Sequence, residues 1–155
     1  MATTTPLPFQ LRPASSADFP FWKDLHRITM RALVEPIWGW DEAVQDALVR
    51  ARYRPATTAI ITVAGADAGG LDREDVAGGI LLSAIMLLPA YQNRGIGSTV
   101  VRDLMAKAVE RDAAVFLSVL RTNHARHLYE RLGFVTTHQD EIRYQMRWLP
   151  APAAG

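Results

Sequence analysis

Six residues, Gln92-Asn93-Arg94-Gly95-Ile96-Gly97, stand between an apolar run ended by Pro89 and a stretch with helical periodicity. Two glycines one residue apart let the backbone turn tightly, so that several N–H groups point outward where a helix begins. Such a turn suits an anion. With no side chain at Gly95 or Gly97 a diphosphate can approach the backbone, and the helix dipole and Arg94 add positive potential. A Gly-x-Gly alone equally describes a plain strand-to-helix turn. The dinucleotide fingerprint needs a third Gly or Ala where Val100 stands, and the nucleotide phosphate loop needs Gly-Lys-Ser/Thr, which is absent.

Other residues offer weaker chemistry. His124, His127 and Glu130 lie on one helical stripe at metal-ligand spacing, but a solvated helix face explains them more simply, and no metal is expected. Arg121, Arg126 and Arg131 are surface arginines that a phosphate would suit. Trp38 and Trp40 alternate about Gly39 and either line a pocket or anchor their loop to the core. Cysteine is absent, which removes disulfides, thiolate zinc sites and a Cys nucleophile.

The elements that must position these residues follow from periodicity. Phe9 to Arg12 reads as a strand, and Ser15 or Ser16 caps a helix through about Val34, with Pro20 tolerated early. Residues 35–40 break that pattern, and Asp41 caps a second helix to about Tyr53. Thr57 to Val63 is a β-branched strand, a short strand lies near Gly69 to Leu71, and Asp72 to Asp75 form a charged turn. Gly79 to Leu88, apolar on both faces, reads as a central strand. Residues 98–112 place Val100, Val101, Leu104, Met105, Ala108 and Val109 on one helical face. Ala114 to Leu120 is a strand, Asn123 caps a helix through Leu132, and strands follow at Phe134 to Thr137 and Ile142 to Trp148. This order, βααβββαβαββ, predicts an α/β fold around a central sheet.

Leu88 to Gly97 resembles motif A, Q/R-x-x-G-x-G/A, of the GCN5-related N-acetyltransferase family, and Asn123 to Phe134 resembles its motif B, N-x-x-A-x-x-L-Y-x-x-x-G-F. The two occur in the family's order and separation, within a resemblance spanning roughly Phe9 to Trp148. It implies a mixed sheet of about six to seven strands, four helices, and a splay between the fourth and fifth strands. Acetyl-coenzyme A is the implied cosubstrate. Its diphosphate would lie on the turn from Gln92 and Asn93 through Arg94, Gly95, Ile96, Gly97, Ser98 and Thr99, and its pantetheine arm along the backbone of Met86, Leu87 and Leu88. Asn123 would contribute one side-chain hydrogen bond, and Tyr129 would act as general acid towards the departing thiolate.

The chain departs from the pattern at the general base. Where many relatives carry a Glu before the strand-ending Pro, this sequence has Met86. Glu35 ranks first among the remaining carboxylates, ahead of Asp41, Asp140 and Glu141, with Trp38, Trp40 and Met86 as the expected acceptor pocket. The implied reaction is direct attack by a small-molecule amine or peptide N-terminus in a ternary complex; the alternative is a catalytically silent acyl-coenzyme A binding module. The 155 residues, with net charge +1, 49% hydrophobic and 21% charged residues, fit one domain over residues 9–149 with loose tails at 1–8 and 150–155. Interspersed charge argues against nucleic acid, and no stretch has the length of a membrane span, so a cytoplasmic location is expected. A homodimer through the final strands is compatible with the resemblance.

Overall fold

The structure, a computed structural model, describes residues 5–152. The outer parts of both expected tails, residues 1–4 and 153–155, lie outside the described residues. The strands are β1 (Gln10–Pro13), β2 (Thr58–Val63), β3 (Ala66–Val76), β4 (Gly79–Leu87), β5 (Ala114–Leu120), β6 (Val135–Gln139) and β7 (Arg143–Trp148). The helices are α1 (Phe19–Trp38), α2 (Glu42–Arg52), α3 (Ile96–Glu110) and α4 (Ala125–Arg131). Backbone pairing orders the sheet β1-β2-β3-β4-β5-β7-β6. Only β4 and β5 among the registered pairs run parallel, and their ladder joins Gly79–Leu82 to Ala114–Leu117 and stops there. Strand β4 runs on to Leu87, beyond that ladder.

The chain divides into two compact units. The first comprises Met1–Asp72 and Ala84–Gly97. Its core gathers Trp22, Leu25, Val49 and Met86, with Phe19, Phe21, Met30, Tyr53, Ala84 and Leu88 packed around them. A Cβ at Gly70 would fall on the Trp22 ring, so this strand position admits no side chain. The entry to α1 is fastened by polar groups. Ser15 and Asp18 form a capping box, and the Asp18 carboxylate also takes the Arg12 guanidinium at 2.8 and 3.0 Å. That pairing holds the Asp18 carboxyl below the usual carboxylate range.

The second unit comprises Arg73–Ser83 and Ser98–Gly155. It buries Val100, Val101, Leu104 and Ala108 of α3 together with Val115, Leu117, Val119, Tyr129, Phe134, Tyr144 and Met146. Strand β5 pairs antiparallel with β7 from Val115↔Trp148 to Leu120↔Arg143.

Three sequence expectations are corrected. Helix α1 does not stop at Val34: it continues through Pro36 to Trp38. A proline in the last turn sacrifices one ladder bond only, and the Gly39 N–H closes the helix on the Glu35 carbonyl at 2.8 Å. The charged segment Asp72 to Asp75 is no turn but part of the eleven-residue β3. Its charges are accommodated locally, Asp72 by the Thr57 hydroxyl at 2.7 Å and Asp75 by Arg111 at 2.6 Å. Val109 is 56% exposed, because at 100° per residue it sits about a third of a turn off the face defined by Leu104 and Ala108.

Candidate active site

After β4 ends at Leu87, a single 3-10 turn (Pro89–Tyr91) leads to extended Gln92. The Gln92 side chain reaches back, donating from Nε2 to the Leu87 carbonyl at 2.8 Å. Asn93 (φ 60°) and Gly95 (φ 83°) then take left-handed conformations on either side of Arg94, and α3 starts at Ile96, whose buried side chain anchors the helix end. Alternating left-handed residues before a helix make an anion-binding concavity, and the amides of the first helical turn have no intrahelical acceptor. Asparagine is among the few residues that tolerate the first of these positions. The second must be glycine, since a Cβ there would also meet Pro6 at 3.0 Å.

The expected backbone contacts at Met86, Leu87 and Leu88 divide by strand parity. The Leu88 N–H already donates to the Ala68 carbonyl at 2.9 Å, and the Met86 carbonyl lies against Gly69, so both residues face β3. Leu87 and, two residues back, Ile85 face the opposite edge, which the ladder with β5 does not reach. The Met86 side chain, 6% exposed, belongs to the first unit's core rather than to an open pocket wall.

Within the second unit Asn123 and Tyr129 sit at the start and in the body of α4. The Asn123 Oδ1 accepts from the Ala125 N–H at 2.9 Å, which fixes the amide and leaves its NH2 group as the donor. Tyr129 is buried, its ring tilted against Phe134 at 5.8 Å, and burial pushes its phenol up to about 12. No hydrogen bond among the described residues holds its hydroxyl, and the phenol keeps its proton across the neutral range.

The candidate bases are unequal. Glu35 lies on the exposed side of α1 and its carboxylate is taken by Arg31 at 3.0 Å. Asp41 caps α2 through the Val44 N–H at 3.0 Å. Asp140 accepts from the Ile142 and Arg143 amides at 2.8 and 2.7 Å, and these bonds lower its carboxyl below the ordinary range. Glu141 shows no such partner among the described residues and lines a shallow cleft of about 460 Å³ with Arg121, Gln139 and Asp140. The tryptophans also part ways. Trp40 is an anchor, stacked on His26 at 5.8 Å with Arg31 over its ring at 6.0 Å, and its buried indole N–H has no partner among the described residues. Trp38 is 53% exposed.

Two features carry no local signal in the sequence. Leu7, within the stretch expected as a loose tail, is fastened to the turn, its N–H donating to the Arg94 carbonyl at 2.9 Å. Arg121 and Arg126 both stack on the Tyr144 ring, at 4.7 and 4.3 Å, a pairing between loop, helix and strand that no residue spacing marks. His124 and His127 stack at 6.3 Å, and no group of three metal-ligating side chains assembles among the described residues.

The chain is 32% identical over 72 residues to the ribosomal protein bS18-alanine N-acetyltransferase of Haemophilus influenzae, a match covering 46% of this chain and 46% of that protein. The matched stretch thus spans just under half of that relative. The fold is that of the PaiA N-acetyltransferase of Thermoplasma acidophilum, solved in complex with coenzyme A (TM-score 0.75, 16% identity, 92% of this chain and 99% of that one). It is also that of the ribosomal-protein-S18-alanine N-acetyltransferase of Escherichia coli (TM-score 0.65, 22% identity, 96% and 97%). Residues 66–143, from β3 through the β6–β7 turn and including both motifs, match the FR47-like protein family. The chain therefore belongs to the GCN5-related N-acetyltransferase family.

Proposed function

We propose that the protein is an acyl-coenzyme A dependent N-acyltransferase, acetyl-coenzyme A being the first donor to test, and that an amine attacks the thioester directly. The observation that carries this reading is the Asn93–Gly95 turn, whose paired left-handed residues present backbone amides at the start of α3. The residues present fit a diphosphate there, because Gly95 brings the backbone close and Arg94 is exposed beside it. The stretch of β4 at Ile85 and Leu87, beyond its ladder with β5, suits the amide-bearing pantetheine arm as an added strand, although the Leu87 carbonyl already accepts from the Gln92 side chain. Tyr129 holds the proton that the departing sulfur needs, and the Asn123 amide NH2 is a second donor. Of the carboxylates, Glu141 is the first to test as the group that takes the proton the attacking ammonium loses, since it lines a cleft and shows no partner among the described residues, whereas Glu35 is held by Arg31. The names of the two alanine N-acetyltransferases favour a peptide N-terminus as the first acceptor class to test.

Calorimetry with coenzyme A, followed by thiol release from acetyl-coenzyme A across a panel of peptides and small amines, tests the proposal. Micromolar binding with acceptor-dependent thiol release is expected. Binding without release from any acceptor points instead to a silent binding module, for which the core position of Met86 in place of an acid would be the structural reason.

A further inference from the structure

Strands β4 and β5 carry one polar side chain each, Ser83 and Ser118, among otherwise apolar residues. The parallel ladder ends at the pair Leu82↔Leu117, so these two serines are next in register, the first residues of the fork beyond it. Residues level with each other on parallel neighbours point to the same face, and the strands enter the fork about 4.8 Å apart. Both serines are exposed, whereas Leu82, Leu117 and Val119, which point the other way, are buried. On the serines' own face Leu120 is buried and Phe116 half-buried, so the opening on β5 is local to Ser118. Neither hydroxyl is held by a hydrogen bond among the described residues. Both residues belong to the second compact unit. Two neutral hydroxyls a strand spacing apart suit one nitrogen, each oxygen accepting one of its N–H groups.

We infer that Ser83 and Ser118 seat the acceptor amine, their Oγ atoms accepting its N–H groups as it comes to the thioester from the open face. The inference rests on the reading of β4 beyond the ladder as the pantetheine site. An arm entering from the Gln92–Gly97 turn and laid along Leu87 and then Ile85 meets Ser83 as the next residue of the same parity, and the closed ladder stops it there. Side chains on a strand stand roughly perpendicular to the sheet. The serine hydroxyls therefore rise above the plane of such an arm, on the exposed side, from which a nucleophile enters. A hydroxyl oxygen accepts from an amine without taking its proton, so the seat orients the nitrogen and leaves proton removal to a carboxylate.

The test uses the full chain and pairs Thr with Val at each position, since the two are alike in shape and in strand preference and differ by the hydroxyl. A peptide with a free α-amino group is the acceptor. Ser83→Val and Ser118→Val should each lower kcat/KM for that peptide about fivefold, the value of one neutral hydrogen bond, while Ser83→Thr and Ser118→Thr stay within about twofold. KM for acetyl-coenzyme A should stay within about twofold in all four. Calorimetric titration of the same peptide into chain saturated with coenzyme A should show the Val variants about fivefold weaker than the Thr variants. The N-acetylated peptide, which offers no amine, should bind all of them equally. Equal losses in the Thr and Val variants, no loss in either Val variant, or a rise in KM for acetyl-coenzyme A in the Val variants alone overturns the seat. A parent chain that binds coenzyme A and the peptide but releases no thiol defeats the transfer reading alone, and the calorimetric comparison then decides the seat; a parent that binds no coenzyme A overturns both. If Ser118→Val does not fold, Ser118→Ala against the parent carries the comparison, with the same expected loss.

Discussion

Replacing Tyr129 by Phe removes one oxygen and keeps the ring that packs on Phe134. Because no hydrogen bond among the described residues holds that hydroxyl, the fold loses little, and the melting temperature should move by no more than about 2 °C. The effect on catalysis follows from the phenol's own acidity. Burial pushes it up to about 12, whereas an ordinary thiol titrates near ~8.5, so the phenol keeps its proton at neutral pH and acts by donating a hydrogen bond to the departing thiolate, complete transfer of the proton being uphill. A hydrogen bond to the charge developing on sulfur is worth about 1.5–3 kcal/mol, and each ~1.4 kcal/mol is tenfold in rate. The variant should therefore lose between about 10-fold and 150-fold in kcat, with coenzyme A affinity within about twofold. Single-turnover thiol release at saturating acetyl-coenzyme A, alongside calorimetry, separates the two quantities. An unchanged single-turnover rate, or a loss accounted for wholly by weaker binding, would refute Tyr129 as the proton donor and return it to a packing role.

The same phenol makes stability depend on alkaline pH. Its folded value of about 12 exceeds the unfolded value near ~10, so the folded state holds the proton more tightly, and stability falls as pH rises from about 10 through 12, by about 3 kcal/mol in all. In urea titrations at pH 9 and pH 11.5 the Tyr129→Phe variant should lose less stability than the parent; equal losses would show that the ring is not the source. Gly95→Ala forces a Cβ into a left-handed position and onto Pro6, which should cost about 1–2 kcal/mol of stability and lower coenzyme A affinity at least about tenfold. An alanine variant that binds like the parent would remove the turn from the cofactor site. Glu141→Gln should lower kcat by about 100-fold at neutral pH while Glu35→Gln stays within about threefold, and the reverse order in steady-state thiol release would restore Glu35 as the base.

The local features of this protein are legible in its residues alone. The turn at Gln92 to Gly97 reads from its glycines, because left-handed backbone at a strand-to-helix junction constrains residue type at those positions. Apolar periodicity places α3 and β5, since burial of one face is a property of residues a few positions apart. Asp41 and Ser15 are legible as caps for the same reason. Whatever depends on partners far along the chain is not legible there. Composition marks Asp72 to Asp75 as a turn, but Thr57 and Arg111, fifteen and thirty-six positions from their partners, let the segment continue as strand. Glu35 and Glu141 are alike as residue types; Arg31 engages one and leaves the other beside a cleft. Trp38 and Trp40 differ only because the second stacks on His26. Leu7, more than eighty residues from Arg94, has nothing in its neighbourhood to mark it. The sequence by itself determined which residues could form a phosphate-binding turn and a buried phenol, because those are matters of backbone preference and local pattern. The tertiary structure alone decided that Arg31 engages Glu35, that Leu88 and the Met86 carbonyl face β3 and that the Arg94 carbonyl accepts from Leu7, because those depend on hydrogen bonds, ion pairs and packing that residue type does not fix.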